Sequence, residues 1–234
     1  MCVRSNGDKL CFPVKSGKVT TGFWDLRPYS KPVAERTYIH RAWDIANSHN
    51  INAPIVAPEN GKVFYQLVVR CPLDRGLNLY WPDTGGWYMF SNWFYDTMGA
   101  VAVLMGESGR IYAYAHIDAN DMFDIMRTYL GISYEWERYA ENYNNYTRLI
   151  WTVNDMKYVD AGDMIGRIGN AGYSTGNHTH MQVHADRDYN HRIDPAALWP
   201  EYGINDNGAG PLHGIRDGLI QPPVDIDPDY MRGC

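Results

Sequence analysis

Short runs rich in Val, Ile, Tyr and Phe, each closed by a Gly, Pro or Asn turn, recur through this 234-residue chain. Helical periodicity is scarce in the first half, so the pattern dictates antiparallel strands. The expected strands are 54–57, 61–69, 100–105, 110–116, 164–168 and 179–185. Turn signals at Glu59-Asn60-Gly61, Gly85-Gly86 and Glu107-Ser108-Gly109 suit hairpin connections between such strands.

Two segments interrupt the pattern. Residues 71–98 are aromatic and turn-rich and read as a long loop. Within 119–152, DMFDIMRTYL and YEWERYAENYNNYTRLIW place apolar residues at helical spacing, which predicts one short and one longer helix. Most aromatics here are expected to pack a core, with some Trp or Tyr left to line a groove. Residues 201–234, rich in Gly, Pro and Asp, are expected to wrap the surface or contact a partner. No internal repeat is visible.

Composition narrows the function classes. The chain is 45% hydrophobic with 18 Tyr and 8 Trp, enough to bury a core as one large domain or two small ones. A net charge of -6 argues against a nucleic-acid binder, which wants a basic face. No stretch is long and apolar enough to span a membrane. The start, MCVRSNGDKLCFPVKSG, lacks the apolar region of a signal peptide. A cytoplasmic site of action, export by another route and a removed leader all stay open on that reading. The four cysteines, Cys2, Cys11, Cys71 and Cys234, form no C-x-x-C pair, which disfavours a zinc ribbon. They read either as free thiols or as a Cys2–Cys11 bridge, with Cys234 able to bond a neighbouring subunit.

The chemistry concentrates in GNAGYSTGNHTHMQVH, residues 169–184. On a strand, His178 and His180 project from one face while Thr179 points away. Two imidazoles alone are weak evidence for a metal. In IHRAWDIA, His40 and Asp44 stand four apart and can converge on one point. With His180 they offer two nitrogens and one oxygen, a usual donor set for a catalytic zinc with its fourth position open. The absence of thiolates suits zinc used for hydrolysis. His116 ends the strand-like YAYAHID, so it can sit at a cleft edge. His116 and His178 are then imidazoles beside the metal, able to move a proton or stabilise an oxyanion. GNAGYSTG is not a phosphate loop, because no Lys follows and no helix opens after it. Glycines 169, 172 and 176 instead suit a turn that brings backbone close to the metal strand. His49, His184, His191 and His213 lie in polar surroundings and read as surface or hydrogen-bonded residues.

The ordered set HxxxD, YAH and HTH resembles the M23 family of zinc metallopeptidases, the lysostaphin and LytM type. INAPIVAPENGKVF (51–64), AGDMIGRIGNAGYSTGNHTHMQV (161–183) and IDPAALWP (193–200) resemble that family as well. The likeness covers roughly residues 35–68, 99–118 and 159–200. It implies a mainly β fold: an antiparallel β-sheet LytM/M23 peptidase core, duplicated-hybrid-motif-like, with a helical insertion at about 119–152. It implies Zn2+ held by His40, Asp44 and His180, and His116 with His178 as the catalytic pair. It implies peptidoglycan as substrate, cut in a stem peptide or cross-bridge. The chain then divides into an N-terminal extension (1–34), a peptidase domain (35–200) with insertions at 71–98 and 119–152, and a C-terminal extension (201–234).

This chain departs from the family at Ala42, where HxGxD has glycine, and at Thr179 and Met181, where HLHF has Leu and Phe. Alanine is expected to be strained if that position needs φ > 0. The missing signal region and the insertions suggest a tail-associated phage lysin docked on other tail or baseplate subunits. A released endolysin or a secreted wall enzyme is the alternative setting. A structural protein that keeps the metal site without cutting is the alternative function.

Overall fold

The computed structural model describes residues 10–23, 25–27, 38–72, 98–131, 136–143, 146–153, 155–172, 174, 176–186 and 191–202. Thirteen strands can be followed there. They are β1 (Lys18–Thr21), β2 (Asp25–Arg27), β3 (Tyr38–His40), β4 (Trp43–Ala46), β5 (Pro54–Val56), β6 (Gly61–Pro72), β7 (Gly99–Gly106), β8 (Ile111–Ala115), β9 (Trp136–Tyr143), β10 (Tyr146–Val153), β11 (Lys157–Val159), β12 (Met164–Arg167) and β13 (Thr179–His184). Every pairing between them is antiparallel.

The main sheet runs β1-β4-β13-β8-β7-β6-β10-β9, with β11 added beside β6. Two small pairs, β12-β5 and β2-β3, complete the strands. Each strand expected between residues 54 and 185 is present within a few residues. One face of the sheet buries Trp43, Ile45, Tyr65, Leu104, Tyr112, Tyr114 and Met181 against Ile55, Ile165, Ile168 and Trp199. Such aromatic and branched side chains fit a pleated, half-buried surface, which is why these runs adopt strands. On the other face Val101, Val103 and Ala115 make a smaller cluster. Close strand packing fixes Gly61, where an added Cβ would stand 2.3 Å from the Met105 carbonyl oxygen.

The insertion at 119–152 is helical only at its start. A helix, α1 (Ala119–Asp124), is capped by Asp118, whose side chain accepts from the Asp121 N–H, and continues as a π-helical turn, Ile125–Tyr129. The expected longer helix is replaced by β9 and β10, which pair in full register from Tyr143↔Tyr146 to Trp136↔Val153. Helical spacing is met by Trp136, Tyr139, Ala140 and Tyr143, then by Tyr146, Leu149, Ile150 and Val153. Both sets match i, i+3, i+4, i+7. Aromatic and β-branched residues favour strands, the intervening residues are Asn-Asn in sequence, a hairpin signal, and β10 finds a partner along β6 from Thr152↔Gln66 to Tyr146↔Pro72. The expected loop at 71–98 begins inside β6, and its residues 73–97 lie outside the described residues, as do the Gly85-Gly86 turn and the tail from 203.

Cys11 is buried and disulfide-bonded, so the free-thiol reading does not hold for it. No helix among the described residues is long and apolar enough to cross a membrane.

Candidate metal centre

Strand register assembles the centre. Asp44 on β4 lies opposite His180 on β13 and opposite Thr21 on β1. His180 also lies opposite Ala115 on β8, which puts His116 one residue beyond. His40 ends β3, opposite Asp25 on β2. Residues 136 positions apart in sequence thus become neighbours through backbone pairing alone.

Three donor atoms meet there. His180 Nδ1 lies 3.0 Å from Asp44 Oδ1 and 3.0 Å from His40 Nε2. His40 Nε2 lies 3.2 Å from Asp44 Oδ1. In a tetrahedral zinc site with bonds of about 2.0–2.1 Å the ligand atoms stand about 3.3 Å apart. The triangle is therefore one face of such a site, within a few tenths of an ångström, and His40, Asp44 and His180 could hold a metal ion. All three are buried. Burial pushes the Asp44 carboxyl up, but the facing His40 and His180 outweigh it and hold the group well below the usual carboxylate range. The centre therefore keeps an anion ready for a cation.

The far nitrogens of the two imidazoles are engaged as well. His40 Nδ1 donates to the Gly22 carbonyl oxygen at 3.2 Å, which leaves Nε2 with its lone pair on the donor triangle. That carbonyl is fixed by a tight turn in which the Asp25 N–H donates to Gly22 O (3.1 Å) and the Gly22 N–H donates to Asp25 Oδ2 (2.8 Å). His180 Nε2 lies 3.1 Å from the buried Gln182 side-chain amide. Partners of this kind fix ring orientation and tautomer.

His116 and His178 stand beside the triangle. Their ring centroids are 4.9 Å apart, and the His116 centroid is 6.0 Å from that of His180. His116 adopts φ +60, a left-handed conformation uncommon outside glycine that costs on the order of 1 kcal/mol. This kink ends β8 and turns the ring out of the strand. Its Nδ1 donates to the Ala171 carbonyl oxygen at 2.8 Å, leaving the Nε2 lone pair available. Burial foremost, then the neighbouring His178 and His180, lower its pKa to about 3. His178 Nδ1 faces the Gly176 carbonyl oxygen at 2.8 Å, and its Nε2 lies 3.7 Å from Asp44 Oδ1. The structure thus brings together all five residues singled out in the sequence.

The neighbouring positions behave individually. Ala42 is fully buried and is not among the residues with positive φ, so alanine carries no backbone strain there. Thr179 points away from the triangle and donates its hydroxyl to the Ala115 carbonyl oxygen at 3.0 Å, and Met181 is core. Gly169 makes the close approach expected of the glycine run, but against the segment after His116. An added Cβ would stand 2.3 Å from the Asp118 nitrogen. Gly172 has φ +77, whereas Gly176 has open space around it. His184 lies in the expected strand and is buried rather than on the surface. His191 sits with Asp186 at 2.9 Å on the surface, His49 is exposed, and His213 lies outside the described residues. Gln182 escaped the sequence reading, although it shares the i, i+2 parity of His178 and His180. Gly22 and Asp25 carried no sequence signal, because only the fold brings them to His40.

No protein-family model matches the chain, and no curated protein matches it. Among solved structures it is similar to a zinc-containing peptidase from Vibrio cholerae, at 22% identity and TM-score 0.41, covering 78% of this chain and 37% of that one. It is similar to the antimicrobial peptidase lysostaphin from Staphylococcus simulans, at 20% identity and TM-score 0.41, covering 83% and 53%. It is also similar to a SpoIIQ–SpoIIIAH pore-forming complex, at 14% identity and TM-score 0.40, covering 81% and 89%. The chain thus spans about a third of the first relative's length and about half of the second's. The chemistry of the centre rests on its own residues.

Proposed function

We propose that this chain is a zinc-dependent endopeptidase that hydrolyses peptide bonds of peptidoglycan, in stem peptides or cross-bridges. The observation that carries the reading is the donor triangle of His40, Asp44 and His180 with two further imidazoles in contact range. The HxxxD, YAH and HTH motifs and their flanking stretches supply the substrate class.

When bound, zinc supplies Lewis acidity, polarising a carbonyl and lowering the pKa of water toward neutrality. The rest falls to the chain. Asp44, held anionic, and the lone pairs of His40 Nε2 and His180 Nδ1 are the ligands. His116 is neutral at working pH, and its Nε2 accepts the proton of the attacking water. As the water oxygen bonds to the carbonyl carbon, charge develops on the carbonyl oxygen, and His178, whose Nε2 lies 3.7 Å from Asp44 Oδ1, stabilises it as a donor once that nitrogen carries a proton. The proton is then delivered to the leaving nitrogen as the C–N bond breaks. The hydrogen bonds to Ala171 and Gly176 keep both rings aimed inward.

Zinc content and digestion of purified sacculi, measured on one preparation of wild type and His180→Ala, test the proposal. One zinc per chain with release of new free amines, both lost in the variant, is the expected result. Zinc without digestion would reject the peptidase and leave a wall-binding protein. Absence of zinc would reject the ligand set.

A further inference from the structure

We propose that Gly99 is a positioning residue for His116: its lack of a side chain lets the Ala171–Gly172 peptide lie against the start of β7, where the Ala171 carbonyl holds the His116 ring. The inference rests on the role given to His116 above.

Gly99 is buried where β7 begins. It stands between two carbonyls that bind the His116 segment. The His116 N–H donates to the Met98 carbonyl oxygen at 3.0 Å, and the Ile117 N–H donates to that of Ala100 at 3.2 Å. The φ of Gly99 is +64, a left-handed value that glycine adopts readily. Space forbids a side chain as firmly as the backbone does. A Cβ built there would stand 2.4 Å from the Ala171 carbonyl carbon, 2.6 Å from its oxygen and 2.6 Å from the Gly172 nitrogen. Carbon atoms in contact rest about 3.5–4.0 Å apart, so relief needs a shift of roughly 1 Å. The obstacle is main chain and cannot swing aside as a flexible side chain would.

That main chain carries the anchor of the ring. The Ala171 oxygen accepts from His116 Nδ1 at 2.8 Å. A hydrogen bond of this kind is lost once the atoms move much beyond about 3.2 Å. If the Ala171 peptide yields, the ring loses its acceptor. If the end of β7 yields, the Met98 carbonyl moves and takes the His116 backbone with it. Either way the imidazole loses the aim on which proton transfer depends, and a misplacement of about 1 Å can cost about 10²-fold in rate. The three atoms nearest to the built Cβ belong to Ala171 and Gly172, and none to His40, Asp44 or His180.

The test compares Gly99→Ala with Gly131→Ala in the full-length, zinc-loaded protein. Gly131 has φ +58 and nothing within 4 Å of a built Cβ, so alanine there meets the same backbone strain without the collision. Zinc affinity is measured by chelator competition, and kcat and KM on soluble muropeptides. Gly99→Ala is expected to lose about 10–100-fold in kcat with KM and zinc affinity unchanged. Gly131→Ala is expected to match wild type in all three. On a His116→Ala background, Gly99→Ala is expected to add no further loss, because an absent ring cannot be misaimed. Multiplied losses in that double variant, equal losses in the two glycine variants, or zinc lost along with activity would overturn the inference and leave Gly99 a structural residue. If Gly99→Ala does not fold, a crystal structure of the zinc-loaded wild type decides. The Ala171 carbonyl is expected on His116 Nδ1 and against Gly99, and a carbonyl turned away overturns the inference. A wild type that holds zinc but cleaves nothing overturns the proposed function, and the inference with it.

Discussion

His180 and Asp44 are register partners on adjacent antiparallel strands, and their side-chain atoms Nδ1 and Oδ1 stand 3.0 Å apart. Strand pairing therefore sets the spacing of the two side chains. Asp44→Asn keeps the shape and the pairing but removes the anion. The expected outcome is a folded protein that no longer holds stoichiometric zinc, measured by elemental analysis after gel filtration. Full retention of zinc would show that the carboxylate is not a ligand.

Metal removal should be visible as lost stability. A ligand that binds only the folded state contributes about 2.7 kcal/mol when its free concentration is one hundred times Kd. For a chain of this size each kcal/mol moves Tm by roughly 2–4 °C. Stripping zinc with a chelator should lower Tm by roughly 5–10 °C, and re-adding zinc should restore it. The same scan on His180→Ala should show no response to either step.

Histidine charge sets the acid limb of stability in the metal-free protein. His116 titrates at about 3 when folded, against an ordinary value of 6.5. The unfolded chain therefore binds the extra proton first as pH falls. The stabilisation is complete above about 6.5 and is lost as pH falls toward about 3, at a slope approaching roughly 1.4 kcal/mol per pH unit. Asp44 adds a loss of the same sign below its ordinary 3.8. His116→Asn, with a residue that tolerates the left-handed backbone, should flatten the curve between 3 and 6.5 in urea melts. Parallel curves for the two proteins would mean that His116 charges freely in the folded state.

His116→Ala should keep zinc at wild-type stoichiometry and lose about 10²–10⁴-fold in sacculus digestion, the range for a general acid or base. Undiminished digestion would remove His116 from the chemistry.

Gly169 couples the two flanking histidines. Its carbonyl accepts the His178 N–H at 3.1 Å, and a Cβ added to it would meet the Ile117–Asp118 backbone just after His116. Gly169→Ala should cost about 1–3 kcal/mol from overpacking. It should depress digestion more than zinc binding, because Gly169 touches the segments of His116 and His178 and none of the three triangle residues. Equal losses of zinc and activity would point to general unfolding instead.

Much of this was legible in the chain itself. Period-two runs such as 61–69 and 179–185 gave strands, and strand parity put His178 and His180 on one side. The failures have physical causes. Residues 136–153 satisfy helical spacing and strand composition at once, and tertiary pairing with β6 decides between them. His184 lies in the expected strand, but the polar stretch beginning at Asp186 suggests a surface residue, and pairing with β8 buries it instead. The Gly22 carbonyl is a backbone atom, and no side-chain pattern could have announced its bond to His40.

That last bond has a practical meaning for anyone trimming the chain. A fragment starting at residue 35 would carry every motif-bearing side chain of the centre. It would nevertheless lack the outermost strand of the main sheet and the oxygen that stops the His40 ring from spinning. Such a fragment would also lose Leu10, Phe12, Val14, Val19 and Phe23 from the main core. The segment upstream of the first motif is thus part of both the core and the His40 support.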